Sequence, residues 1–113
     1  MNRPQRNNNP GNLKYAKQRE STGKDAEGFA TFPTPFAGWR ALVRQIEMDQ
    51  DRGDTVVKFI SEYAPVKDNN NTLKYLSHVC DGLKAQVHDQ LSLYSPYALA
   101  GLIAQWEGYF VKD

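Results

Sequence analysis

From residue 35 onward apolar positions recur at helical spacing, whereas residues 1–34 are polar and carry turn formers. Thr34 followed by Pro35 forms an N-cap and first-turn pair. Phe36, Trp39, Leu42, Val43 and Ile46 then share a helical stripe that Gly53 closes. Asp54 is the predicted cap of the next helix, with Val56, Ile60 and Tyr63 on one face. Ala64-Pro65 stops that helix because a residue before proline avoids the helical region. Val66 to Asn70 reads as a loop. Asn71 is the predicted cap of a helix carrying Leu76, Val79 and Cys80, which Asp81-Gly82 ends. Leu83 to Leu93 is read as a further short helix. Ser95-Pro96 opens the last one, whose stripe is Leu99, Leu102, Ile103 and Trp106.

The N-terminal third follows different rules. Asn7 to Asn12 cannot be a helix interior, because Pro10 lacks an N–H and Pro10-Gly11 is a turn signal. Leu13-Lys14-Tyr15-Ala16 and Glu27 to Phe32 read as two strands of a small hairpin, joined through a polar turn around Ser21 to Lys24. The expected fold class is therefore mainly α, an α+β domain over 1–113. Residues 1–34 form its loop and hairpin, and 35–113 its helices.

Composition narrows the function classes. Fourteen Lys and Arg face 13 Asp and Glu, a formal net charge of +1, which argues against a dedicated nucleic-acid binder. A single cysteine excludes an internal disulfide. Cys80 reads as a small core residue. No apolar run is long enough for a membrane span, and the first residues lack the apolar core of a secretory signal. His78 and His88 lack neighbouring ligands at metal spacing, so neither a metal nor a cofactor is expected. Arg40, Arg44 and Arg52 mark solvated helix positions.

The sharpest candidate chemistry is Leu102-Ile103-Ala104-Gln105-Trp106-Glu107-Gly108. At about 100° per residue, Glu107 lies roughly 40° from Ile103 and roughly 80° from Leu99, so it flanks the apolar stripe. A position in the last helical turn disfavours negative charge, and partial burial beside Trp106 acts in the same direction. Both would raise the Glu107 pKa and fit it to donate a proton to a leaving oxygen. Glycoside hydrolysis needs such a group, and animal lysozyme places its acid glutamate against a tryptophan. A solvated surface glutamate is the bland alternative.

Asn7, Asn8, Asn9 and Asn12 offer amide donors and acceptors suited to N-acetyl and hydroxyl groups of sugars, or else simply make turns. Of the four, Asn12 reads as the most structural. Tyr15, Tyr63 and Tyr75 could stack on sugar faces, with core or rim packing as the alternative. Asp25, Glu27 and Asp68 fall in loops and are candidates for a second carboxylate. A nucleophile would stand about 5–5.5 Å from the acid, and a water-activating base about 6.5–9.5 Å. A single acid/base with no partner is the third option.

Arg6-Asn7-Asn8-Asn9-Pro10-Gly11-Asn12-Leu13 resembles the opening of a phage virion and prophage family of lysozyme-like structural proteins. Further along, Phe29 to Phe32, Arg40-Ala41-Leu42, Ala64-Pro65 and Asn71-Thr72-Leu73-Lys74-Tyr75 match that family in order and spacing. Leu102 to Gly108 also resembles the catalytic helix of phage lysozymes, which place their acid Glu before Gly at a helix end. In those enzymes the helix precedes a β-hairpin. Bacterial cell-wall glucosaminidases are similar in following their Glu helix with an Asn-Asn-aromatic-Gly segment. Here the asparagine-rich segment and hairpin come first and the Glu helix last, the order of a circularly permuted lysozyme-like fold. The family usually carries His-Glu-Asn-Gly where this chain has Gln105-Trp106-Glu107-Gly108.

The resemblance implies cleavage of peptidoglycan glycan strands by a muramidase or lytic transglycosylase, with Glu107 facing the Asn7–Asn12 loop across a cleft. The alternative is a non-catalytic virion or cell-wall-binding protein that keeps the fold. An immunity or inhibitor protein is a weaker third idea. The expected partners are peptidoglycan strands and other virion proteins, with no nucleic acid and no membrane, for an isolated domain that is monomeric. The expected setting is the virion or host cytoplasm, with action at the cell wall.

Overall fold

A computed structural model describes residues 1–112. The described chain is mainly helical, with one small two-stranded antiparallel sheet near its N-terminus. In chain order the elements are α1 (Arg3–Arg6), β1 (Gly23–Lys24), β2 (Ala30–Thr31), α2 (Pro35–Asp51), α3 (Val56–Tyr63), α4 (Thr72–Leu83) and α5 (Pro96–Trp106). Single 3-10 turns cover Val66–Asp68 and Leu91–Leu93. Among the described residues, no helix is long and apolar enough to cross a membrane. The chain divides into two compact units, Met1–Gln45 with Ile103–Asp113, and Ile46–Leu102.

The first unit is organised by its asparagines. α1 starts with a capping box, in which Asn2 Oδ1 accepts from Gln5 N and Gln5 Oε1 accepts from Asn2 N. The chain then turns through Asn8 and Asn12, both in the left-handed region at φ 52° and 50°. Asparagine tolerates that region better than most residues. β1 and β2 pair with Gly23 opposite Thr31 and Lys24 opposite Ala30. The expected first strand at 13–16 contributes only one bridge, Lys14 to Phe29. Residues expected to form the turn instead supply the strand, because Thr22 N donates to Thr31 O and Asp25 N to Phe29 O. Ala30, Phe32 and Ala37 form a buried cluster, against which Tyr15 and Ala41 pack. α2 begins as expected, with Thr34 Oγ1 accepting from Ala37 N at 3.2 Å. Phe36, expected in the stripe, is 74% exposed. Ala37, Leu42, Ile46 and Asp49 define the buried face, and 100° steps carry Phe36 outside it.

The second unit keeps Val56, Phe59, Ile60, Tyr75, Leu76, Val79, Leu91 and Leu99 buried. The cap of α3 is Thr55, whose hydroxyl accepts from Lys58 N, and not the expected Asp54. Asp54 is 3% exposed and its carboxylate takes Arg52 and Lys58 as ion-pair partners. Those cations hold its carboxyl below the usual range, the Arg52 hydrogen bond most strongly. Asn71 caps α4 as expected. α4 does not stop at Asp81-Gly82 but runs to Leu83, with Lys84 in the left-handed cap position. A Cβ on Gly82 would stand 2.4 Å from Leu102 Cδ2, so this glycine serves close approach instead of helix termination.

The helix expected over 83–93 is a loop with one 3-10 turn. The first N–H groups of α3 have no partner within their own helix. Here Val56 N donates to Asp89 O and Val57 N to Val87 O. Carbonyls spent on that neighbour are withdrawn from any local helix.

Candidate functional site

Glu107 sits one residue past the end of α5, as its C-cap. Gly108 follows at φ 87°, a left-handed geometry that suits glycine. Gly108 N donates to Gln105 O and Tyr109 N to Ala104 O, the paired bonds of a Schellman motif. The sequence therefore fixes the backbone at Glu107 by a local rule, a helix ended by glycine. α1 fixes it again from outside. Asn2 Nδ2 donates to Gly108 O at 2.7 Å, and Gln5 Nε2 donates to Tyr109 O at 3.0 Å and also to Val111 O.

The Glu107 side chain is partly buried. Asn12 Nδ2 donates to its Oε1 at 3.3 Å. Asn12 Oδ1 is buried and has no hydrogen-bond partner, an acceptor whose desolvation is uncompensated within the protein. The side chain expected to be the most structural of the asparagines is thus the one that meets the candidate acid.

The other asparagines are committed to the fold. Asn9 is fully buried; its Nδ2 donates to Leu13 O and Ala30 O, and its Oδ1 accepts from Leu13 N, each at 2.9 Å. Asn8 Nδ2 donates to Phe32 O. Asn7 is 4% exposed and its Nδ2 donates to Asp25 Oδ2 at 2.9 Å. Gly38 allows the loop to seat against α2, because a Cβ there would lie 1.9 Å from Asn8 O.

Of the candidate second carboxylates, Asp25 is the most enclosed. Its Oδ1 accepts from Glu27 N and Phe29 N, and its Oδ2 from Asn7, with Arg3 Nε at 3.7 Å. The Asn7 amide, then the Phe29 backbone N–H, hold this carboxyl below the usual range. Glu27 is exposed and paired with Arg3, whose guanidinium also lies 4.0 Å over the Phe29 ring. Asp68 lies in the 3-10 turn of the second unit.

The tyrosines divide similarly. Tyr15 is partly exposed, with Lys24 Nζ 5.9 Å from its ring centre. Tyr75 is 0% exposed and packs edge-on to Tyr63 in the second unit, so the expected sugar-stacking tyrosine is a core residue. Among the described residues, no three His, Cys, Asp or Glu side chains gather into a metal-holding group.

No family model and no curated protein matches this chain.

Two features of the site were not anticipated. The first is the α1 clamp on Gly108 and Tyr109. Its signal was present, since Asn2 three residues before Gln5 is a capping-box spacing. The second is an aromatic group formed by Trp39, Tyr109 and Phe110, with ring centres 5.3–6.1 Å apart. Nothing local pairs positions so distant in sequence.

Proposed function

We propose that this protein cleaves the β-1,4 glycan strands of peptidoglycan, as a muramidase or lytic transglycosylase, with Glu107 as the general acid. The observation that carries the reading is the Asn12–Glu107 hydrogen bond, which brings the asparagine-rich turn to the carboxyl at the end of α5. One carboxylate oxygen is held by an amide, on a backbone turn fixed by its own hydrogen bonds and by those from α1. In this reading the protonated carboxyl gives its proton to the glycosidic oxygen as the glycosidic bond breaks. Precise placement of this kind is what general acid catalysis requires.

A circularly permuted lysozyme-like arrangement has support from the same region. Residues 2–5 hydrogen-bond residues 108–111. Joining those segments would place the Glu helix directly ahead of the asparagine turn and hairpin, the order in phage lysozymes. The role of Asp25 in this reading is architectural, because its Oδ1 accepts from the backbone of Glu27 and Phe29 and its Oδ2 from the Asn7 amide. That disfavours it as a nucleophile and leaves Glu27 or a mechanism with one acid/base group. In the latter the substrate's own hydroxyl closes an anhydro-sugar.

A second reading is a non-catalytic virion or wall-binding protein of the same architecture. It is favoured by the internal use of Asn7, Asn8 and Asn9, which makes most of the asparagine turn a structural device. Both readings place the protein in a phage particle or an infected cell, acting at the bacterial wall beside other virion proteins. Mass spectrometry of muropeptides released from purified sacculi separates them. Reducing ends identify a hydrolase and anhydro-sugars a transglycosylase, whereas no released glycan from pure protein removes the enzymatic reading.

A further inference from the structure

The segment after Glu107 exposes apolar surface without being loose. Phe110 is 55% exposed and Val111 56%, yet the backbone here is tied to α1 through Gln5 Nε2 at both Tyr109 O and Val111 O. Trp39, from the first turns of α2, meets Tyr109 edge-on at 5.7 Å and 84°, and lies tilted by 33° from Phe110 at 6.1 Å. Tyr109 and Phe110 are themselves edge-to-face at 5.3 Å and 79°. These are mutually favourable ring geometries, so the group is an ordered aromatic surface and not a frayed end. Half-buried Trp39 and Tyr109 extend the exposed apolar surface of Phe110 and Val111, the kind of ordered apolar surface on which a ligand can rest.

We propose that Trp39, Tyr109 and Phe110 form a shelf on which an N-acetylated amino-sugar ring of the glycan strand stacks. This rests on the peptidoglycan reading of Glu107 and adds to it a binding subsite. Three arguments select a sugar. The shelf adjoins the candidate acid along the backbone, with only Gly108 between Glu107 and Tyr109. Its three side chains carry no formal charge, which suits a neutral ring. A pyranose offers a flat array of C–H bonds, and an N-acetyl group adds a methyl, both complementary to the electron-rich face of an aromatic ring. Gly38, beside Trp39, packs on the asparagine turn at Asn8, so the shelf is attached to both parts of the candidate site.

The test uses the full chain and two probes, soluble chitotetraose followed by tryptophan fluorescence, and insoluble purified sacculi followed by co-sedimentation. The expected result is roughly tenfold weaker binding for Phe110→Ala, the scale of one lost aromatic contact. Phe110→Tyr should bind and melt as the wild type does, and Phe110→Ala should stay folded, with a melting temperature lowered by only a few degrees through its lost ring contacts with Trp39 and Tyr109. Phe110→Ala binding both probes like the wild type overturns the shelf, as does a wild type that binds neither. A Phe110-dependent dimer in sedimentation velocity, without sugar binding, also overturns it. The two readings fail separately. Shelf-dependent binding with no released glycan removes the cleavage mechanism alone, whereas cleavage that is indifferent to Phe110→Ala removes the shelf alone.

Discussion

Asn12 and Glu107, 95 positions apart in sequence, meet through an amide-to-carboxylate hydrogen bond of 3.3 Å. Each partner reaches that point by a local device. Gly108 turns the end of α5, and Asn12 itself takes a left-handed conformation at φ 50°. Because glycine adopts that conformation freely, Asn12→Gly removes the amide while sparing the backbone. The expected outcome is a roughly tenfold fall in wall-cleaving rate, the order of one lost positioning hydrogen bond. The melting temperature should move little. Rates of clearing of purified sacculi, with a parallel thermal melt, check both parts.

Asn9 is the opposite case, an asparagine spent wholly on the fold. Its replacement by alanine strands the Leu13 N–H and removes donors from two carbonyls in a dry interior. Asn9→Ala should lose about 2–4 kcal/mol of stability. Urea unfolding monitored by tryptophan fluorescence measures it, and a midpoint equal to wild type would contradict the assignment.

Two glycines in helices should respond in opposite directions. A methyl at Gly38 meets Asn8 O at 1.9 Å, within rigid backbone, so Gly38→Ala should destabilise by about 2–3 kcal/mol. A methyl at Gly101 in α5 meets nothing within 4 Å. Gly101→Ala should therefore stabilise by about 0.5–1 kcal/mol through helix propensity. Thermal melts of the pair provide an internal control.

The acid limb of the stability profile should be set by carboxylates with lowered pKa. Asp54 is held low first by its hydrogen bond from Arg52, and Asp25 first by that from Asn7. Depressed values mean that the native state binds protons less readily than the unfolded chain. Their contribution is thus present above the ordinary Asp value of 3.8 and is lost as the pH falls through the lower native values. Melting temperature measured from pH 7 to pH 2 should drop in that acid window. Asp54→Asn and Asp25→Asn should each flatten the drop, and an unchanged slope in both would contradict it.

What could be read from sequence was what short-range rules determine. Thr34, Asn71 and Ser95 act as caps because a side chain needs only reach the N–H groups two or three residues on. Glu107 at a glycine-terminated helix end followed from the same kind of rule. The loop at 83–93 did not, because its conformation answers to the N–H groups of α3. Gly82 carried a local helix-ending signal that contact with Leu102 overrides. For the asparagines, sequence left sugar contact and turn formation both open, with Asn12 the most structural, but the fold gives Asn9 to the core, Asn7 to Asp25 and Asn12 to Glu107. Those assignments depend on long-range contacts that periodicity does not encode.

The most direct test is the rate at which Glu107→Gln clears purified sacculi, compared with wild type at equal folded concentration. Glutamine keeps the shape and polarity of the side chain but cannot donate an acidic proton. Loss of about 10²–10⁴-fold in rate, with an unchanged thermal melt, is the result predicted for a general acid. Full clearing by Glu107→Gln would contradict it.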